Sequence, residues 1–167
     1  MDSESDKLDV KATRLGRAVF VKCDFEAEEL VGEVVGTIIH DPDYSSSYCM
    51  DLGRGAVLEA AEPFRLLNHS CDPNCELILW RYRRFNKRRY HRVWLQTLRT
   101  IAAGEELTID YCWPASDAIP CSCQSSRCRG WIVSPEELDQ LLVTRGRGSG
   151  LQIPGQRQMD VSLVSPV

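Results

Sequence analysis

Three cysteines within eight residues, Cys121-x-Cys123-x4-Cys128, form the densest group of thiols in the chain. Their neighbours are Ser, Gln and Arg, so burial as small hydrophobes does not account for them. Thiolates at this spacing hold zinc, and a closed tetrahedral site asks for a fourth ligand. The stretch Asn68-His69-Ser70-Cys71-Asp72-Pro73-Asn74-Cys75 offers two candidates for that ligand, Cys71 and Cys75. It packs amides, an imidazole, a hydroxyl, thiols and a carboxylate between two apolar runs, and Pro73 steers Asp72 toward an extended or turn conformation. So many hydrogen-bonding groups need partners when buried, which is the profile of a site loop. A third stretch, Gly104-Glu105-Glu106-Leu107-Thr108-Ile109-Asp110-Tyr111, brings a phenol to the end of a short apolar strand. Cys23, Cys49 and Cys112 are read as small buried hydrophobes.

The elements that must position these groups are mostly strands. Residues 8–13 and 18–22 read as two strands bent around Arg14 to Arg17, and 30–39 as one Val- and Ile-rich strand with a bulge or close approach at Gly32 and Gly36. Residues 48–52 and 56–60 flank Gly53-Arg54-Gly55, a hairpin signal. Residues 75–82 and 92–98 form a long hairpin whose tip is the arginine-rich segment, and 102–105 turn into a strand over 106–111. One helix is expected late, with Ser134 as N-cap, Pro135 first, Glu137 closing a capping box, and Leu138, Leu141 and Leu142 on one face. From Thr144 onward Gly, Ser, Gln, Arg and Pro dominate, and a disordered tail is expected.

At 167 residues, 43% hydrophobic and 26% charged, the composition is that of one soluble domain with a tail. The first residues lack a signal-peptide pattern and no apolar run reaches bilayer length, so a soluble intracellular protein, cytoplasmic or nuclear, with no membrane partner is expected. In a reducing compartment clustered cysteines point to metal and not to disulfides. The net charge is -4, yet seven of the 20 basic residues fall in the acid-free run from Arg81 to Arg92. The 24 acidic residues therefore dominate everywhere else, which favours a basic partner. The arginine run itself is read in two ways, as a solvated hairpin tip or as a weak contact to nucleic-acid phosphate.

Asn-His-Ser-Cys-Asp-Pro-Asn at 68–74, Gly-Glu-Glu-Leu-Thr-Ile-Asp-Tyr at 104–111 and Cys-x-Cys-x4-Cys-Arg-Gly at 121–130 closely resemble the SET-domain protein lysine methyltransferases with their post-SET zinc module. Leu15-Gly16-Arg17, Val31-Gly32-Glu33 and Ser47-Tyr48-Cys49-Met50-Asp51-Leu52 resemble that family's N-terminal motifs in the same order. The resemblance implies a mainly β fold, the SET β-clip with its pseudoknot, short helices and a C-terminal post-SET zinc site. The resemblance spans roughly residues 7–132; with the helix and tail read from their own residues, the chain divides into an N-terminal extension (1–7), the SET domain (8–112), the post-SET segment (113–133), a helix (134–143) and the tail (144–167).

By the same resemblance Leu15, Gly16, Arg17, Tyr48, Arg65, Asn68, His69, Tyr111 and Trp131 contact S-adenosylmethionine, and Tyr111 is the catalytic tyrosine. Cys71, not Cys75, joins Cys121, Cys123 and Cys128 on a structural zinc. The implied reaction is methyl transfer to a lysine ε-amine in a basic protein, with a histone as the leading candidate. Two positions depart from the family pattern: Leu30 and Ile109 stand where channel aromatics are usual. They motivate a rival reading, a catalytically weak or silent SET-like module that binds a peptide or nucleic acid, and they leave the number of methyl groups transferred open.

Overall fold

The computed structural model describes residues 4–14, 16–41, 43–44, 46–83 and 89–146. Strands β1 (Leu8–Thr13) and β2 (Gly16–Val21) pair antiparallel from Leu8↔Val21 to Thr13↔Gly16, with Ala18, Val19 and Val21 buried. Gly16 enters β2 at φ +115°, a conformation that side chains disfavour.

The apolar run 30–39 divides where one strand was expected. β3 (Leu30–Val34) and β4 (Gly36–Ile39) belong to different sheets, with exposed Val35 at the switch, its carbonyl accepting from Ala61 N. Both glycine expectations find their place around that division. The register of β3 shifts between Leu30 and Gly32, and a Cβ on Gly36 would lie 2.1 Å from the Glu59 carbonyl oxygen. β5 (Cys49–Gly53) and β6 (Ala56–Ala60) form the expected hairpin, Gly53, Arg54 and Gly55 all taking positive φ, and the sheet order is β4-β6-β5.

After β7 (Asn68–His69) comes the long hairpin of β8 (Cys75–Arg83) and β9 (Arg89–Thr97), in register from Cys75↔Thr97 to Arg83↔Arg89. Its tip, residues 84–88, lies outside the described residues. β9 is central in the order β3-β9-β8, and Val31, Val34, Val93, Leu95, Cys75 and Thr97 are buried there. The expected strand 106–111 contracts to β10 (Thr108–Ile109), paired with β7. Before it, Glu106 forms a bridge to Phe20, and Leu107 N donates to Val19 O. Those bonds tie the segment to β2, so no continuous ladder develops.

The chain divides into two compact units. The first takes the residues up to Asn68 together with Pro73–Ile109, and the second takes His69–Asp72 and the chain from Asp110 on. The second holds β11 (Ile119–Pro120), paired with β12 (Trp131–Ile132), and helix α1 (Leu138–Gly146). Its core is Ala118, Val133 and Leu141, with Ala115, Trp131 and Leu138 packed against it.

The expected capping box is absent. Ser134 makes no side-chain cap bond, Pro135–Glu137 form a 3-10 turn, and Glu137 Oε2 instead accepts from Ala115 N at 2.8 Å. Leu142 and Val143 are exposed, so the apolar face is narrower than expected. The helix also runs two residues past the expected start of the tail, to Gly146, and residues 147–167 lie outside the described set.

The reading of Cys23, Cys49 and Cys112 as buried is corrected. Cys23 is exposed in a bend after β2, Cys112 is exposed at φ +48°, and half-buried Cys49 donates to Ser46 O. Cys23 and Cys112 follow strands and Cys49 opens β5, strand ends that apolar composition does not report. Among the described residues no helix is long and apolar enough to cross a membrane.

Candidate functional site

The second unit gathers the thiols. Cys71, Cys121, Cys123 and Cys128 have Sγ atoms all within 4.8 Å of one another, and Cys71 and Cys121 are 3.7 Å apart. Zinc–sulfur bonds of about 2.3 Å in a tetrahedron place sulfurs roughly 3.8 Å apart, so the set fits structural zinc. The surroundings also suit thiolates: Cys123 N donates to Cys121 Sγ and Gly130 N to Cys128 Sγ, each at 3.4 Å. Burial by itself pushes the Cys71 and Cys121 thiols up, so a cation is what would hold them ionised. Cys75, the other candidate of the loop, is fully buried with its thiol pushed up to about 12 by burial and takes no part in the cluster.

His69 lies beside this cluster, its side chain 3% exposed. Nε2 is 3.3 Å from Cys71 Sγ, and Nδ1 accepts from Tyr111 N at 3.2 Å. Asp110 Oδ1 is 3.5 Å from Nδ1, but Arg129 occupies that carboxylate on both oxygens at 2.8 and 2.9 Å and donates again to Val133 O. Burial pushes the His69 pKa down and Asp110 only partly opposes it, so the ring is neutral at neutral pH. The Tyr111 ring stands between His69 and Trp113, with centroids 5.3 and 5.5 Å away. Trp131 is half-buried against the small core, and its carbonyl oxygen is 3.9 Å from Cys71 Sγ.

Two further groups occur in the first unit. Arg65 stacks 4.2 Å over the Tyr48 ring and lies 3.7 Å from Glu59, whose other oxygen accepts from Tyr44. Asn68 Nδ2 donates to Glu106 Oε1 at 2.8 Å. Buried Asn74 clamps the same segment twice, donating to Glu106 O and accepting from Thr108 N, each at 2.8 Å.

Arg17 forms a two-pronged pair with Glu62. Leu15 lies outside the described residues. The structure therefore joins Tyr48 with Arg65, His69 with Tyr111, and the four cysteines, while Arg17 has a separate partner. Asp110, Arg129, Asn74 and Glu106 were not singled out from sequence. The first two flank recognised residues, but nothing in their spacing showed that they pair across 19 positions.

The SET domain family matches residues 16–112, which is more than half of the chain. The chain belongs to the SET-domain family. Its SET domain is similar to "Histone-lysine N-methyltransferase trithorax" of Drosophila virilis, at 34% identity over 133 residues, covering 70% of this chain and 3% of that protein. It is also similar to "Histone-lysine N-methyltransferase ash1" of Drosophila melanogaster, at 37% over 91 residues, covering 51% of this chain and 4% of that one. The chain thus spans a small part of the relatives it matches. A crystal structure of KRYPTONITE in complex with mCHG DNA and SAH shares the fold at TM-score 0.62 and 24% identity, covering 75% of this chain and 28% of that one. The mainly β SET fold expected from the motifs is therefore the fold observed.

Proposed function

We propose that this SET domain transfers methyl groups from S-adenosylmethionine to a lysine ε-amine in a basic protein, a histone being the leading substrate. The observation that carries the reading is Tyr111, at the end of the family's last motif and wedged between His69 and Trp113. The relatives' names, histone-lysine methyltransferases, support the substrate class, as does the excess of acidic residues outside the arginine run. A histone substrate would put the protein in the nucleus.

Bound S-adenosylmethionine supplies an electrophilic methyl on a sulfonium. The protein's task is then alignment and delivery of a neutral amine, with no strong base required. The Tyr111 hydroxyl orients the acceptor amine. Asn68, whose nitrogen is taken by Glu106, keeps its amide oxygen as acceptor for the cofactor's ammonium. Gly16 has open space on its Cα and suits close approach of a ligand to backbone. Arg17, Tyr48, Arg65 and Leu15 belong to the same proposed set in the first unit, and His69, Tyr111 and Trp131 in the second. Both ring nitrogens of His69 are already engaged, so its share falls to the backbone. Residues 113–133 act as the post-SET module, with zinc on Cys71, Cys121, Cys123 and Cys128.

The rival reading keeps one observation on its side: Leu30 is partly exposed at the start of β3 and Ile109 is buried, so neither offers channel aromatic surface. Incubation with labelled methyl donor and histones separates the two. Transfer that Tyr111→Phe abolishes supports the enzyme, and absence of both transfer and cofactor binding by zinc-replete protein supports the silent module.

A weaker partner proposal concerns the β8–β9 hairpin. Its register sets Arg83 opposite Arg89. The run from Arg81 to Arg92 carries seven basic residues and no acidic one, a charge that suits the phosphates of a nucleic acid.

A further inference from the structure

Cys71 differs from two of its companions in what stands behind its sulfur. Backbone amides donate to Cys121 and Cys128, and the Arg129 backbone to Cys71, but Cys71 also faces a side chain, Nε2 of His69 at 3.3 Å. The other edge of that ring decides where its proton sits. Tyr111 N–H donates to Nδ1 across 3.2 Å, so Nδ1 must present a lone pair and a neutral imidazole carries its single proton on Nε2. Asp110 is the one described carboxylate near enough to draw a proton to Nδ1, and Arg129 holds both of its oxygens.

We infer that His69 is a positioning residue that donates Nε2–H to the Cys71 thiolate while its Nδ1 holds the backbone N–H of Tyr111, so that one ring ties the thiol cluster to the catalytic tyrosine. The donated hydrogen bond takes up part of the thiolate's charge, the service that a metal ligand ordinarily receives from the groups around it. Any movement of Cys71 on metal loss then tilts the ring, and the same tilt releases Tyr111 N–H. The inference rests on the zinc assignment, and its link to methyl transfer rests on the function proposed above.

The test uses the full chain loaded with zinc, and in parallel with cobalt(II). His69→Phe keeps the ring and removes both hydrogen bonds, and His69→Gln restores a donor near the Nε2 position. Zinc release to a colorimetric chelator is expected to quicken about 10- to 100-fold in His69→Phe, with His69→Gln in between. The sulfur-to-cobalt charge-transfer band should shift in His69→Phe and return toward its original position in His69→Gln. Release and spectra in folded His69→Phe matching the unsubstituted protein would overturn the inference.

Should the variants fail to fold, imidazole nitrogen chemical shifts of the unsubstituted protein decide. A proton on Nε2 supports the donation and one on Nδ1 refutes it. None of these readouts involves methyl transfer, so a protein inactive on every substrate would sink the proposed function and leave this inference standing.

Discussion

Two cysteines four positions apart have opposite fates. Cys71 enters a cluster of sulfurs and Cys75 disappears into the β8–β9 core. Cys71→Ser is therefore expected to lose the bound zinc and Cys75→Ser to keep it, as elemental metal analysis will show. Native-state alkylation should modify exposed Cys23 readily and spare Cys75, whose thiol is both buried and pushed up to about 12. For Tyr111→Phe we expect kcat to fall by about 100-fold, the scale of a small misplacement of reacting groups, with KM for the methyl donor little changed in steady-state assays. Cysteine spacing alone announced a metal, since clustered thiolates have few other uses, but it did not choose between Cys71 and Cys75; family resemblance made that choice. Burial of the lone cysteines was misjudged because a flanking apolar residue says nothing about whether the chain is inside a strand or leaving it.

Strand content was legible at the level of elements, because Val- and Ile-rich runs between glycine turns describe little else. Boundaries set by tertiary contacts were not. The run 30–39 carries no breaker strong enough to reveal its change of sheet, and Ser134 with Glu137 satisfied a capping pattern that Ala115 then pre-empted. Gly36 marks the change most sharply. With 2.1 Å between a built Cβ and the Glu59 carbonyl oxygen, Gly36→Ala must push β4 and β6 apart. We expect a cost of about 1–3 kcal/mol, read as a lower Tm in thermal denaturation. On the β8–β9 hairpin, replacing Arg81 and Arg83 by Gln should flatten the salt dependence of any nucleic-acid affinity, by roughly one unit of slope per lost phosphate contact. An affinity that ignores salt would leave the arginines as solvating groups.

Across the whole molecule, four residues of the Asn68–Cys75 loop, His69–Asp72, belong to a unit otherwise built from the chain after Asp110. That assignment was invisible locally, since it depends on a partner segment 50 positions away. Stripping zinc with a chelator should raise amide hydrogen exchange within the second unit, while β1–β2 and β8–β9 keep their protection, as exchange mass spectrometry can resolve. The four-sulfur cluster also bears on the order of assembly. Its ligands come from Cys71 and from Cys121 onward, so during synthesis the metal cannot be fully captured until Cys128 has left the ribosome. By then the strands of the first unit have all been made. Zinc capture would then be a late step of folding that closes a long loop whose entropy has already been reduced by the hairpins within it.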